Sequence, residues 1–165
     1  MGVGTDELFH KFVTKTKNRV ECPYKLIDGG EFLNQILYEE CTELEADGFL
    51  VKQIPMFHSG YSFQLNIGDI RRAFDNVFSN LRKYTEPNIP ILIKGKEQQN
   101  QICVMIENYK SKQPLITESH KIGLMTVQTL VKQNSGSVNI EQDIIKFSIE
   151  ILLPVMKISD CNSDT

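Results

Sequence analysis

Residues 68–84, GDIRRAFDNVFSNLRKY, have the apolar spacing of an amphipathic helix. Side chains at i, i+4, i+7, i+8 and i+11 lie on one face of a helix, and a face that is apolar throughout is buried in a core. Pro87 and Pro90 follow closely and end the helix, since proline cannot continue it. Five large apolar residues form the stripe: Ile70, Phe74, Val77, Phe78 and Leu81.

Alternating helical and strand patterns surround this helix. Strands joined by short turns pair antiparallel, and the helices are expected to cover one face of their sheet. The predicted fold class is therefore α+β, a two-layer sandwich with a mixed, mostly antiparallel sheet covered on one face by about three helices. The other predicted elements are a helix from residue 31 to Gly48 after a break at Gly29-Gly30, strands at 49–57 and 61–65 with a turn at 58–60, strands at 90–95 and 101–108, a loop at 109–121, a helix at 122–134, and a closing hairpin over 137–155 with its turn at Asp143.

Composition limits the class of protein. The 165 residues are 41% hydrophobic and 24% charged, which is ordinary for a globular domain and excludes a disordered, fibrous or membrane-spanning chain. The net charge of 18 − 21 = −3 does not indicate a nucleic-acid-binding protein. The four cysteines form no CxxC pair or Cys/His cluster, so zinc binding is not predicted and a reduced, cytoplasmic protein is expected.

The chain divides into three parts. Residues 1–23 form a helical appendage, in which Leu8, Phe9, Phe12 and Val13 lie on one side of a helix over 6–18. Residues 24–158 form the main domain, and 159–165 a polar tail.

The 68–84 helix carries polar residues beside its apolar stripe. Asn76, Asn80 and Lys83 are spaced i, i+4 and i+7, so they share a face near Tyr84. Carboxamide oxygens suit Mg²⁺ and a lysine suits phosphate, which together indicate a nucleotide site. A solvated helix face explains the same residues equally well.

Two further segments contain candidate site residues. In SHKIGLMTV (119–127), Gly123 lies near the predicted start of a helix, where its backbone N–H can approach phosphate, with His120 and Lys121 adding charge. An ordinary loop-to-helix junction is the alternative. Asn108 ends the alternating strand on its inward side, where a buried polar group needs a partner. An adenine edge or a local turn hydrogen bond would supply one.

These segments, in this order, resemble a known family. FDNVFSNLRKYT (74–85) resembles the N-box, NLLxNAxKYT, of the ATP-binding catalytic domains of bacterial sensor histidine kinases. ICVMIEN resembles the strand into the first glycine box of that family, SHKIGLMTV the second box (GxGLGLxxV), and FSIEILLP the closing strand. The superfamily also includes the gyrase, heat-shock chaperone and mismatch-repair ATPases.

The resemblance implies roles for individual residues. Asn80 would coordinate the Mg²⁺ on ATP, Asn76 would lie near the phosphates, and Lys83 would contact them. In the gyrase-like relatives a glutamate general base occupies the place of Asn76. An asparagine cannot accept a proton there, which favours phosphoryl transfer to a protein histidine over hydrolysis. The remaining implied nucleotide contacts are Tyr84, Asn108, Lys110, His120, Lys121, Gly123, Leu124 and Ser148.

The sequence also departs from the family pattern. The first box normally continues DxGxG, whereas this chain has Asn108 for the aspartate and no glycine over 109–112. Tyr109 and Lys110 place side chains where the family has bare backbone. The second box keeps only Gly123, and Lys110, Lys112, His120 and Lys121 supply compensating charge. No H-box surrounds His10, so the phosphoacceptor histidine is expected on another segment, and 6–18 is interpreted as the end of a dimerisation helix.

Two functions follow from these observations. The leading hypothesis is a kinase catalytic domain that binds ATP and Mg²⁺ and presents the γ-phosphate to a histidine on a separate dimerisation domain. Its partners would be that domain and a response regulator. The parent would be a homodimer of a family that is often membrane-anchored, with this chain in the cytoplasm. The alternative is a degenerate, non-catalytic module that acts through protein contacts, and Asn76 disfavours a third reading, a gyrase-type hydrolase.

Overall fold

The computed structural model describes residues 27–52, 54–98, 100–112 and 118–157. The predicted 6–18 helix, most of the appendage's junction with the main domain, and the 159–165 tail lie outside these ranges. Among the described residues, no helix is both long and apolar enough to cross a membrane. The elements are α1 Gly29–Ala46, β1 Val51–Lys52, β2 Tyr61–Ser62, α2 Ile67–Tyr84, β3 Ile91–Glu97, β4 Gln101–Tyr109, α3 Glu118–Gln133, β5 Ser137–Gln142, β6 Lys146–Pro154 and β7 Met156–Lys157.

Helix α2 is the amphipathic helix that the sequence predicts. It begins after Asn66, whose side chain accepts a hydrogen bond of 3.1 Å from the Asp69 N–H and so caps the first turn. It ends before Thr85, which has extended backbone. All five residues of the predicted stripe, Ile70, Phe74, Val77, Phe78 and Leu81, are buried, which confirms the prediction.

The main sheet has five strands in the order β1-β3-β4-β6-β5. β1 runs parallel to β3, and every other neighbouring pair is antiparallel. Along β6 the side chains alternate between buried and half-buried, so one face of the strand lies in the core. The three helices pack on the sheet, and the predicted α+β sandwich is confirmed. The buried side chains of β6 are Phe147, Ile149, Ile151 and Leu153.

The two short strands near residues 50 and 61 are only partly as predicted. Each is two residues long, and they do not pair with each other. β1 joins the edge of the main sheet beside β3, whereas β2 pairs with β7 in a separate two-stranded sheet. The partners lie some 40 and 95 residues further along the chain, so the local pattern contains no information about the pairing.

Gly29 and Gly30 form the first turn of α1 and not the break predicted from the sequence. Asp28 caps this helix, and its side chain accepts from the Glu31 N–H at 3.0 Å. A β-carbon on Gly30 would overlap the carbonyl oxygen of His58. The glycine is therefore needed because two backbone segments approach closely here, and not because the helix ends.

We expect Gly30→Ala to lower the free energy of unfolding by more than ~1 kcal/mol, although alanine is the better helix former. The added methyl group would meet the backbone carbonyl of His58. That carbonyl can move aside only if residues 57–58 shift away from α1. Gly123→Ala is the matched control, since its β-carbon would stand 3.5 Å from the Asn80 side chain, an ordinary contact distance.

The Gly123→Ala control is expected to leave the free energy of unfolding unchanged or to raise it by up to ~1 kcal/mol, because alanine has the higher helix propensity. Urea denaturation of both variants measures the two effects. Equal stability of Gly30→Ala and the unmodified chain would contradict the close approach at His58.

Candidate functional site

A hollow opens where the end of α2 meets the start of α3 above the sheet. Its floor is formed by β4 and β6, and the β5–β6 turn closes one side. We call it the α2–α3 hollow. Its lining residues are Val77, Asn80, Leu81, Tyr84, Asn108, Lys110, His120, Leu124, Gln142 and Phe147.

Backbone hydrogen bonds fix the two elements that carry most of the polar lining. The Ser111 N–H donates to the Tyr84 carbonyl at 2.8 Å, and the Glu86 N–H donates to the Tyr109 carbonyl at 2.8 Å. The end of α2 is thereby tied to the end of β4. This connection holds Asn80 of the helix and Asn108 of the strand on the same hollow.

Three buried polar atoms in the hollow have no hydrogen-bond partner in the described part of the chain. They are Asn80 Nδ2, Asn108 Oδ1 and His120 Nδ1. Buried polar atoms are almost always satisfied in folded proteins, and each unsatisfied one costs about 1–3 kcal/mol. Two donors or acceptors from helices and one from the sheet, all facing one hollow, indicate a place for a polar ligand.

Asn108 occupies the end of the sheet's inner face. Its side chain is 3% exposed, and it lies opposite Phe147 in the β4–β6 register. The preceding inward residues of β4, Ile106 and Val104, are buried and apolar. Asn108 is thus the polar residue at which the row of buried apolar side chains on β4 ends and the hollow begins. The alternation of β4 predicts this inward position.

His120 lies within the hollow between two aromatic rings. Its ring centroid is 4.6 Å from that of Tyr84 and 6.3 Å from that of Phe147, both edge-to-face. Burial, and to a smaller extent the charge of Lys110, lowers the pKa of His120. The imidazole is therefore mainly neutral at pH 7 and adds no positive charge to the hollow. It occupies space between the two rings, and its Nδ1 has no hydrogen-bond partner in the described chain.

Lys110 connects the hollow to the β5–β6 turn. Its Nζ donates to Gln142 Oε1 at 3.0 Å and to the Asp143 carbonyl at 2.6 Å. Asp143 in turn accepts from the Ile145 and Lys146 N–H groups at 2.7 Å, which confirms the turn predicted there. Lys110 brings a positive charge to the rim of the hollow and is held there by neutral oxygen atoms.

Helix α3 begins at residue 118, four residues before the predicted start. Gly123 therefore lies inside the helix, so the prediction that it lies at the start of the helix is wrong, and so is the alternative of a loop-to-helix junction. Its backbone N–H lies beyond the first four of the helix, which alone are free to meet a ligand. Gly123 faces the Asn80 carboxamide, and a β-carbon there would stand 3.5 Å from it, an ordinary contact distance.

Several residues predicted for the site do not line the hollow. Lys83 and Lys121 are exposed, and Asn76 donates to the Arg72 carbonyl of its own helix at 2.9 Å. Ser148 lies on the outer face of the sheet, because β6 turns its neighbours Phe147 and Ile149 into the core. Ser148 therefore does not line the hollow, and its expected position beside an adenine stays a prediction.

The sequence analysis did not assign Phe147 or Gln142 to the site, and both line the hollow. Counting back in twos from the buried Leu153 and Ile151 along β6 would have placed Phe147 inward. No pattern in the sequence indicates Gln142, since β5 is mostly exposed.

The donor set fits ATP in chemical type. Asn108 offers an acceptor, Asn80 a carboxamide and Lys110 a cation, around apolar and aromatic walls. Among the described residues no group of three or more His, Cys, Asp or Glu could hold a metal. Mg²⁺ fits only as an ion carried mainly by phosphates, with few protein ligands, and the Asn80 carboxamide is one of the groups in the hollow that could contribute an oxygen.

The hollow is narrow in this structure. It encloses about 490 Å³ of atom-free space including its mouth, but only about 30 Å³ is open to the centre of a water-sized sphere. That smaller volume holds one or two water molecules. A planar base therefore enters only after a lining side chain has moved.

Comparison with known proteins agrees with the fold. A family model described as a GHKL domain matches residues 65–154, more than half of the chain and all the elements from α2 to β6. No curated protein sequence matches the chain significantly.

Solved structures give the same fold at low sequence identity. The mycobacterial sensor histidine kinase MprB is 14% identical with a TM-score of 0.58, over 79% of this chain and 98% of that one. The Acinetobacter baumannii histidine kinase AdeS is 14% identical with a TM-score of 0.59, over 90% and 75%. The catalytic domain of histidine kinase ThkA is 14% identical with a TM-score of 0.59, over 78% and 94%. The chain belongs to the GHKL family of ATP-binding domains, and it has the fold of a histidine kinase catalytic domain.

Proposed function

We propose that the chain binds Mg-ATP in the α2–α3 hollow and is the catalytic domain of a sensor histidine kinase. The observation that carries this proposal is the convergence of two unsatisfied buried carboxamide atoms, Asn80 Nδ2 and Asn108 Oδ1, in one hollow. Membership of the GHKL family supplies the class of ligand. The structural similarity to the solved kinases supports the fold, and the kinase activity is the proposal made here.

The adenine would lie at the sheet end of the hollow. Asn108 Oδ1 is buried there and would accept a hydrogen bond from the exocyclic amino group. A neutral carboxamide forms a weaker bond than the aspartate of the resembling family, because charge assistance roughly doubles the strength of a hydrogen bond. Phe147 and Leu124 would supply the apolar contacts to the ring.

The phosphates would lie toward Asn80 and the rim. Lys110 is the positive side chain that already lines the hollow, and it needs only to exchange the neutral oxygens of Gln142 and Asp143 for phosphate. The Asn80 carboxamide can turn its oxygen to Mg²⁺ and its Nδ2 to a phosphate oxygen. Bound Mg²⁺ would neutralise the charge that develops on the transferred phosphoryl group.

Phosphoryl transfer is favoured over hydrolysis by the residue types in the hollow. Its described lining contains no carboxylate that could remove a proton from water, and Asn76, one turn before Asn80, cannot do so either. We therefore infer that the acceptor is a histidine on a separate dimerisation domain, which then serves a response regulator. The parent would be a homodimer, with this chain in the cytoplasm.

We expect Mg-ATP to raise the melting temperature of the chain, because a ligand at 100 times its dissociation constant stabilises the folded state by ~2.7 kcal/mol. Asn80→Ala and Asn108→Leu are expected to lose most of this shift. Asn108→Leu is also expected to stabilise the ligand-free protein by about 1 kcal/mol, because it removes an unsatisfied buried oxygen. Differential scanning fluorimetry with a non-hydrolysable ATP analogue measures both effects.

The control variant is Asn139→Ala, an exposed asparagine on β5 that does not line the hollow. It should keep the full shift. If millimolar Mg-ATP produces no shift in the unmodified chain, nucleotide binding fails, and the degenerate, non-catalytic module becomes the better account of this fold.

We expect His120→Ala to bind ADP more tightly than the unmodified chain. In the ligand-free structure the imidazole packs on Tyr84 and Phe147 within the space that a base would need. Breaking such aromatic contacts costs about 0.5–1.5 kcal/mol. The variant does not have to break them when the nucleotide binds, so its affinity should rise about two- to thirteenfold.

Isothermal titration calorimetry gives the dissociation constants. His58→Ala is the matched control, because His58 is an exposed histidine paired with Glu97 outside the hollow, and its affinity should not change. Weaker binding by His120→Ala would show that the imidazole is a ligand for the nucleotide instead of an obstacle to it.

A further inference from the structure

A second concave surface lies on α1, outside the α2–α3 hollow. It runs between one face of α1 and the segment 54–56, and we call it the α1 groove. It has about 170 Å³ open to the centre of a water-sized sphere, which is more than the α2–α3 hollow has. Its lining residues are Asn34, Tyr38, Cys41, Thr42 and Glu45 from α1, with Ile54, Pro55 and Met56 opposite.

The walls of the α1 groove are held in place. Asn34 Nδ2 donates to the Phe57 carbonyl at 2.8 Å, and Asn34 Oδ1 accepts from the Phe57 N–H at 2.8 Å. The far side of the segment packs on β3, where Pro55 and Phe57 approach Gly95 too closely for a side chain there. The groove is therefore a formed feature of the fold.

Large apolar side chains are exposed around the groove. Tyr38 is 71% exposed, Met56 81% and Ile54 47%. Single exposed apolar residues are ordinary, but several around one concavity indicate a surface that another polypeptide covers. The occupant should therefore present apolar side chains.

The electrostatics of α1 add a second requirement. The helix carries six acidic residues between its N-terminus and its C-cap, and four of them pair with Arg71 or Arg82 of α2. Among the described residues, no ion pair reaches Glu31 or Glu45. These two carboxylates lie on the same helical face as Tyr38, two turns to either side. The occupant should therefore be basic as well as apolar.

Residues 6–18, which lie outside the described ranges, meet both requirements. Their predicted apolar side consists of Leu8, Phe9, Phe12 and Val13. Their charged residues are Lys11, Lys15 and Lys17 against Asp6 and Glu7, a net charge of 3 − 2 = +1. The chain then enters α1 itself, since Ile27 stands two residues before the helix. The eight residues 19–26 span up to ~26 Å, and an 18-residue helix is ~27 Å long, so the segment can reach the whole groove.

We propose that residues 6–18 bind the α1 groove of the same chain. Phe9 and Phe12 cover Tyr38 and Met56, and the basic residues lie near Glu31 and Glu45. Docking in this way places the segment that precedes the catalytic domain against the helix that packs on α2. The proposal does not depend on nucleotide binding.

The chain contains no tryptophan, so Phe12→Trp creates a single fluorescent reporter in the segment. We expect a blue-shifted emission and acrylamide quenching several-fold weaker than that of a free indole. Adding Met56→Glu in the groove should restore the emission and quenching of an exposed indole. Adding Met125→Glu, at a methionine of α3 that is also exposed and lies outside the groove, should not.

Hydrogen exchange of the chain without tryptophan provides a second measurement. Amides of residues 6–18 should exchange at least about tenfold more slowly than in the Met56→Glu variant. An exposed indole in the Phe12→Trp chain, or a buried one that Met56→Glu leaves unchanged, would overturn the proposal. If the indole becomes exposed on dilution and sedimentation shows a dimer, the segment binds the groove of a second copy, and binding within one chain is overturned.

Discussion

The apolar stripe of α2 is the constraint on which the site depends. Because five of its side chains are buried against the sheet and α1, the helix cannot rotate about its axis without exposing part of the core. Asn80 stands between Val77, Leu81 and Tyr84 on the edge of that stripe, so the rotation that buries the stripe also turns the carboxamide toward α3. Arg82, on another side of the helix, pairs with Glu40, Glu43 and Asp47 and ties α2 to α1. The same packing that gives the fold its core thus orients the polar residue closest to the proposed phosphate position.

The polar lining has a cost in stability that the core offsets. Three unsatisfied buried atoms at about 1–3 kcal/mol each are a large fraction of the net stability of an ordinary domain. A sequence shaped by stability alone would place apolar residues at Asn80 and Asn108, since both adjoin core positions. Their presence at one hollow, where a single ligand can satisfy both carboxamides, is the physical reason for assigning function to this place and not to the larger but ordinary surface concavities.

Much of the fold and part of the site could be predicted from sequence, and the division has a physical basis. The buried face of α2, the hairpins and the inward position of Asn108 follow from periodicity, which reports local geometry. The pairing of β1 and β2 was missed because it depends on distant strands. The close approach at Gly30 was missed for the same reason, since a glycine pair without its tertiary neighbour looks like a break. Ser148 was assigned by motif position, whereas the alternation of β6 turns Phe147 inward instead.

The start of α3 connects these differences to the chemistry. Where the resembling family has glycines, this chain has Ser119 and Lys121, residues that allow a helix, and α3 extends back to residue 118. The extra turn carries His120 into the hollow, where it packs on Tyr84 and Phe147 and reduces the free space. A flexible glycine loop would leave that space open and its backbone N–H groups available to phosphate. With Ser119 and Lys121 at two glycine positions of the family pattern, the His120 side chain occupies space that an open backbone loop would leave free. The positive charge for the proposed phosphate position comes from Lys110 on the opposite rim.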